Sequence, residues 1–200
     1  ALACGETGLV IACEPNPHVF RILEENARLN RGRTRIAPLN FAATESDGAY
    51  VFHYWDASFG NGGNLSRLHN QRHGHRYPLN VEGRDLERYL RAHFAERLPR
   101  LSFVKTDAEG YDKDVLRAMR GLLMELRPVV VCEVHKKLDG VERRELHDAL
   151  AGADYALHRF RGGADPIGEA VGADDLNRRP SFDILALPSE RAAAFGRVTS

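Results

Sequence analysis

The stretch Leu9-Val10-Ile11-Ala12-Cys13-Glu14-Pro15-Asn16-Pro17 decides how the rest of the chain is read. Five apolar residues between Gly8 and Pro15 predict a buried strand. Asn16-Pro17 then predicts a helix start, with Asn16 as N-cap and Pro17 preset for the first helical position. Phe20, Leu23 and Ala27 fall on one face of that helix, and Asn30-Arg31-Gly32 ends it. A strand that closes on a carboxylate and turns at once into a helix matters because ligands of doubly wound sheets sit at the carboxyl ends of strands.

Working outward, strand and helix patterns keep alternating. A short strand is expected around 35–42. The segment 48–54 alternates weakly, as a hairpin arm does. Residues 56–76, rich in Gly, Asn, Ser and His, predict an irregular loop insertion. Tyr77–Val81 returns as a strand, followed by a helix over 84–96 with Leu86, Tyr89, Leu90 and Phe94 on one side. Leu101–Thr106 is the next strand. The helix after it carries Val115, Leu116 and Met119 inward, with Gly121 near its end. Val129–Val134 follows Pro128 as the most strand-like segment. Glu142–Leu150 is a helix stopped by Gly152, and Tyr155–Phe160 and Phe182–Leu187 are two closing strands joined by a loop. This order predicts an α/β fold with one mainly parallel sheet, a closing antiparallel strand and helices on both faces.

Composition bounds the function. Two hundred residues make one ordinary domain, and 43% hydrophobic with 28% charged residues excludes a mostly disordered chain. The 28 basic and 28 acidic side chains cancel, so the chain lacks the overall field of a nonspecific nucleic-acid or membrane binder. No window reaches the ~18 apolar residues of a membrane span, and no leader pattern opens the sequence. Cys4, Cys13 and Cys132 are too few for a disulfide scaffold, so a cytoplasmic protein is expected. Arg outnumbers Lys 24 to 4, a codon bias that points to a GC-rich bacterial genome.

Three apolar runs end abruptly in polar residues, and these carry the chemistry. Glu14 can accept both hydroxyl hydrogens of a ribose, or it can simply favour the helix entered at Pro17. A dinucleotide fingerprint places its glycine turn about 20 residues before such an acid. Counting back from Glu14 passes Ala1, so the first strand and its glycine loop are expected to be missing here. Asp107 and Glu109 follow the second run. Lys105 shares a strand side with Asp107, and Gly110 permits close backbone approach. These residues could position a substrate hydroxyl and take its proton, or they could cap the next helix together with Asp112 or Asp114. Glu133 and His135 end the third run on one side of their strand, and a His beside an acid is a plausible base. Asp107 with Glu133 offers hard oxygen ligands but a weak metal signature. His69, His73 and His75 have zinc-like spacing in what reads as a solvated loop, with nothing to complete a ligand set. No metal is expected.

The chain resembles the FkbM-type methyltransferase family. The likeness rests on Ala12-Cys13-Glu14-Pro15-Asn16-Pro17 through Leu29-Asn30, on Asn40-Phe41-Ala42-Ala43, on Val104-Lys105-Thr106-Asp107-Ala108-Glu109-Gly110-Tyr111, and on Glu133-Val134-His135. It implies a Rossmann-like methyltransferase sheet and S-adenosyl-L-methionine as cofactor. It further implies that Glu14, flanked by Pro15 and Asn16, holds the ribose hydroxyls. Asn40 and Phe41 would border the adenine, and Asp107 would lie near the transferred methyl. Asp107, Glu109 and His135, with Lys105 beside them, are the candidates for catalysis, and which of the three serves as base stays open. The implied acceptor is a hydroxyl of a small molecule or glycan. The family's strand order would also hold Cys13 and Cys132 too far apart to bridge. A nicotinamide-dependent oxidoreductase and a noncatalytic module of the same fold are the alternatives.

Overall fold

The computed structural model describes residues 1–54, 63–65 and 77–195. The chain divides into two compact units, Ala1–Asp85 and Leu86–Ser200.

In the first unit, Leu2–Cys4 make a single 3-10 turn before β1 (Val10–Cys13). The helix α1 (Pro17–Leu29) begins as its sequence dictates. The Asn16 side chain accepts a hydrogen bond from the His18 N–H at 2.8 Å, and Pro17 occupies the first turn. At its far end the Asn30 side-chain amide donates to the Asn26 carbonyl at 2.7 Å. The expected single strand over 35–42 is two strands in different sheets. β2 (Ile36–Leu39) runs parallel to β1, with Val10 opposite Ile36 and Cys13 opposite Leu39. β3 (Ala42–Thr44) instead joins a four-stranded sheet with β4 (Gly48–Tyr54), β5 (Gly63–Leu65) and β6 (Tyr77–Asp85), in the order β3-β6-β4-β5. The break falls at Asn40, whose side-chain amide donates to the carbonyls of Glu14 at 2.8 Å and Pro15 at 3.3 Å.

Strand β6 outruns the expected Tyr77–Val81 because Gly83, Arg84 and Asp85 pair with Ala42, Ala43 and Thr44. Gly83 is required there: a Cβ would lie 2.3 Å from the Tyr50 ring and 2.8 Å from Thr44 Oγ1. Of the loop expected over 56–76, only 63–65 are described. They form a strand, and the rest, with His69, His73 and His75, lies outside the described residues.

The second unit opens with α2 (Leu86–His93), which starts two residues later than its periodicity suggested and buries Leu86 and Leu90. β7 (Phe103–Thr106) alternates exposed and buried residues and pairs in parallel with β8 (Val129–Val134). The one helix expected between them is two, α3 (Asp112–Ala118) and α4 (Arg120–Leu126), separated at buried Met119. Gly121 lies inside α4 rather than at a helix end. The Glu87 carboxylate fills the space a Cβ would take and accepts the Leu122 N–H at 3.2 Å, satisfying a donor in the first turn of α4.

Helix α5 (Gly140–Ala151) begins earlier than the expected 142, because Asp139 and Glu142 form a capping box. β9 (Tyr155–Phe160) is followed by β10 (Ile167–Ala170), a strand the sequence reading missed, and by β11 (Phe182–Pro188) and α6 (Ser189–Phe195). The five strands run in the order β10-β9-β11-β8-β7, with α5 packed on β9 and α6 on β11 and β9. Val130, Cys132, Val134, Ile184 and Ala186 are fully buried on one face, and Val131, Leu185 and Leu187 are buried on the other, as central strands covered on both faces should be.

The α/β class holds, but the described strands pair in a mixed fashion rather than mainly in parallel. Only β1–β2, β3–β6 and β7–β8 are parallel, against five antiparallel pairs. Parallel neighbours need a crossover of a dozen or more residues, and a connection as short as Arg161–Pro166 has no room for one. Among the described residues no helix is long and apolar enough to cross a membrane.

Candidate functional site

In the first unit the polar turn after β1 is ordered by its own side chains. Glu14 continues the ladder, its N–H donating to the Leu39 carbonyl at 2.9 Å. Its carboxylate Oε1 accepts the Asn16 N–H at 2.8 Å. Burial pushes the Glu14 carboxyl above its ordinary range, and the Asn16 amide partly offsets this. Asn16 is completely buried and Phe41 is 5% exposed, whereas Asn40 is exposed and fastens the two turns together through Glu14 and Pro15. Glu14, Pro15, Asn16, Asn40 and Phe41 therefore lie at the carboxyl ends of the parallel strands β1 and β2. A half-buried carboxylate so placed can accept hydrogen bonds from a diol.

In the second unit Lys105 and Asp107 form an ion pair, Nζ to Oδ2 at 2.7 Å, with both side chains about half exposed. The pair holds the Lys105 ammonium above its usual range. Beyond Asp107 the backbone turns sharply. Glu109 has φ 53° and Gly110 φ 101°, a left-handed pair that costs a non-glycine residue energy and occurs often at working sites. Buried Asp112 ties this turn down, its Oδ2 accepting the Ala108 N–H at 3.2 Å.

At the end of β8, His135 is almost wholly buried, and its Nε2 lies 3.2 Å from Glu109 Oε2. Its Nδ1 accepts the Lys137 N–H at 3.4 Å, which assigns the neutral ring's proton to Nε2. Glu133 Oε1 accepts the Ser181 hydroxyl at 2.9 Å. Burial raises the Glu133 carboxyl, the Ser181 hydrogen bond opposes that, and the charges of Asp107 and Glu109 reinforce it. One ligand-type atom from each of Glu109, Glu133 and His135 lies within 4.8 Å of the others. The structure thus brings Glu109, Glu133 and His135 together and pairs Asp107 with Lys105. Asp107 with Glu133, the metal pair suggested by the sequence, is not the group that converges.

Two contributors, Ser181 and Arg143, escaped the sequence reading, and a third, Asp112, has a different part from the one expected. Ser181 gives no sequence signal. Asp112 entered only as a helix cap, whereas its carboxylate holds the Asp107–Tyr111 turn. Arg143 lies on the same face of α5 as Leu146 and Leu150, and a charge on an apolar stripe was a readable warning of a buried, satisfied group.

The chain matches the methyltransferase FkbM domain over residues 1–157 and belongs to that family. No curated protein and no solved structure matches it.

Proposed function

We propose that the protein is an S-adenosyl-L-methionine-dependent O-methyltransferase whose acceptor is a hydroxyl of a sugar or secondary metabolite. Family membership over residues 1–157 carries the reading. The residues of the first unit fit the cofactor. Glu14 keeps a half-buried carboxylate at a strand end, a suitable acceptor for ribose hydroxyls, with its Oε1 already oriented by the Asn16 N–H. Pro15 and Asn16 fix that orientation, and Asn40 holds the neighbouring turn. Phe41, being buried, would border an adenine mainly with its backbone. When bound, the cofactor supplies an electrophilic methyl on a sulfonium.

The residues of the second unit supply proton chemistry. An alcohol becomes a competent nucleophile as its proton leaves, so a base is needed beside it. Asp107 offers an exposed carboxylate whose charge is partly balanced by Lys105, and Glu109 offers one facing His135. With Nδ1 engaged by the Lys137 amide, neutral His135 serves as a donor toward Glu109, so the two carboxylates are the better proton acceptors.

The test is methyl transfer from methyl-labelled S-adenosylmethionine to a panel of sugars and hydroxylated aromatics, followed by mass spectrometry. Labelled methyl ether is expected with the wild type. Asp107→Asn should lower turnover far more than cofactor binding. Binding of S-adenosylhomocysteine without transfer to any acceptor would favour a noncatalytic module instead.

A further inference from the structure

We propose that Arg143 is a positioning residue of the second unit's polar cluster, holding His135 and Ser181, and through Ser181 Glu133, in the arrangement the site uses; this rests on the methyltransferase reading of that cluster. Arg143 is 5% exposed, and among the described residues no carboxylate pairs with it. Its guanidinium instead collects five main-chain carbonyls. Nε donates to Leu138 at 3.0 Å, and Nη2 donates to His135 at 3.4 Å and Pro180 at 2.6 Å. Nη1 donates to Arg179 at 2.8 Å and to Leu176.

These carbonyls come from two separate segments. His135 and Leu138 follow β8, while Leu176, Arg179 and Pro180 precede β11. The β8–β11 ladder stops at Val134 opposite Phe182, so the main chains beyond it no longer bond to each other across the pair. Carbonyls that converge cannot satisfy one another, since each is an acceptor. A planar cation with five N–H donors can join them, and the three donors of a lysine head cannot fork in the same way. Ser181 follows Pro180 directly and donates to Glu133 Oε1. The backbone carbonyl of His135 is itself one of the five, so Arg143 fastens both sides of the cluster.

Stability alone is a poor reason for this residue. A buried guanidinium with no carboxylate partner is costly to desolvate, and the carbonyls it satisfies meet there only because the two loops converge. What the guanidinium supplies is a fixed geometry between two loops.

The experiment compares Arg143→Lys with Leu146→Val, a core change on the same helix face that weakens the fold without removing any of the five hydrogen bonds. The readout is the ring resonances of His135 in the ligand-free protein, with thermal unfolding and S-adenosylhomocysteine affinity measured alongside. Leu146→Val should keep a single His135 signal at its wild-type position. Arg143→Lys should broaden or double it while cofactor-product affinity stays within about twofold. Should Arg143→Lys fail to fold, Arg143→Gln takes its place; one amide cannot reach all five carbonyls, so it too should broaden or double the His135 signal. An unmoved His135 signal in a folded Arg143→Lys or Arg143→Gln protein would reduce Arg143 to a structural tie. Loss of S-adenosylhomocysteine binding in the wild type would count against the methyltransferase reading and leave this comparison intact.

Discussion

Replacing Asp112 by Asn should stabilise the protein at neutral pH, against the usual result for a buried polar residue. Asp112 is completely buried; its Oδ2 accepts the Ala108 N–H, and Thr106 Oγ1 lies near the carboxylate without a well-formed hydrogen bond to its Oδ1. Burial pushes the carboxyl above its ordinary range, and the charge of Asp107 adds to that. Thr106 and the amides of Ala108 and Gly110 lie close enough to favour the ion without reversing the shift. A buried acceptor left unsatisfied costs about 1–3 kcal/mol. A negative charge in the first turn of α3 returns about 0.3–1 kcal/mol, and Asp114 still provides one. Asn keeps the acceptor for Ala108, can still pair with Thr106 and carries no charge to desolvate, so Asp112→Asn should gain about 1 kcal/mol at neutral pH.

The pH dependence follows from the sign of the shift. Because the folded carboxyl holds its proton more tightly than the unfolded one, this group stabilises the fold at acid pH. Its contribution falls as pH climbs from the ordinary aspartate value of about 3.9 through the raised folded one. The Asn variant has no such slope, so the two proteins should converge in acid. Urea unfolding at acid and neutral pH reads both effects. An Asn variant at least 1 kcal/mol less stable than wild type at neutral pH, with a gap that does not narrow in acid, would refute the reasoning.

Gly83→Ala should cost about 1–3 kcal/mol by driving a methyl into Tyr50, and a second change of Tyr50 to Leu should recover part of it in urea unfolding. Asp139→Ala removes the capping box of α5 and should cost about 1 kcal/mol, read as faster amide exchange in its first turn. Burial raises the Cys132 thiol and pushes that of Cys13 up to about 12, and both are free. A thiol reagent should therefore label exposed Cys4 quickly and the other two only on unfolding; equal rates at all three would contradict the burial.

Much of the fold was legible because its signals are local. Asn16-Pro17 sets the start of α1, Gly152 the end of α5, and the apolar run at Val129 the central strand β8. The misread elements all turn on contacts distant in sequence. Asn40 splits a strand by reaching Glu14 and Pro15, and Glu87 lets a helix begin again at Arg120 by entering the space over Gly121. Pairing direction was misjudged because strand–helix alternation says nothing of where β11 inserts between β8 and β9. The candidate residues at strand ends stand out in the sequence by abrupt changes of polarity, as at Glu14, Asp107 and Glu133. Ser181 and the convergence of carbonyls on Arg143 depend on tertiary proximity, which no spacing announces.

Calorimetric titration of S-adenosylhomocysteine into wild-type protein and Glu14→Ala tests the role of the strand-end carboxylate most directly. Binding by the wild type and a loss of about 1–3 kcal/mol in the variant, roughly 5- to 150-fold, are expected for hydrogen bonds to a charged group. Equal affinity in the two proteins would contradict the account.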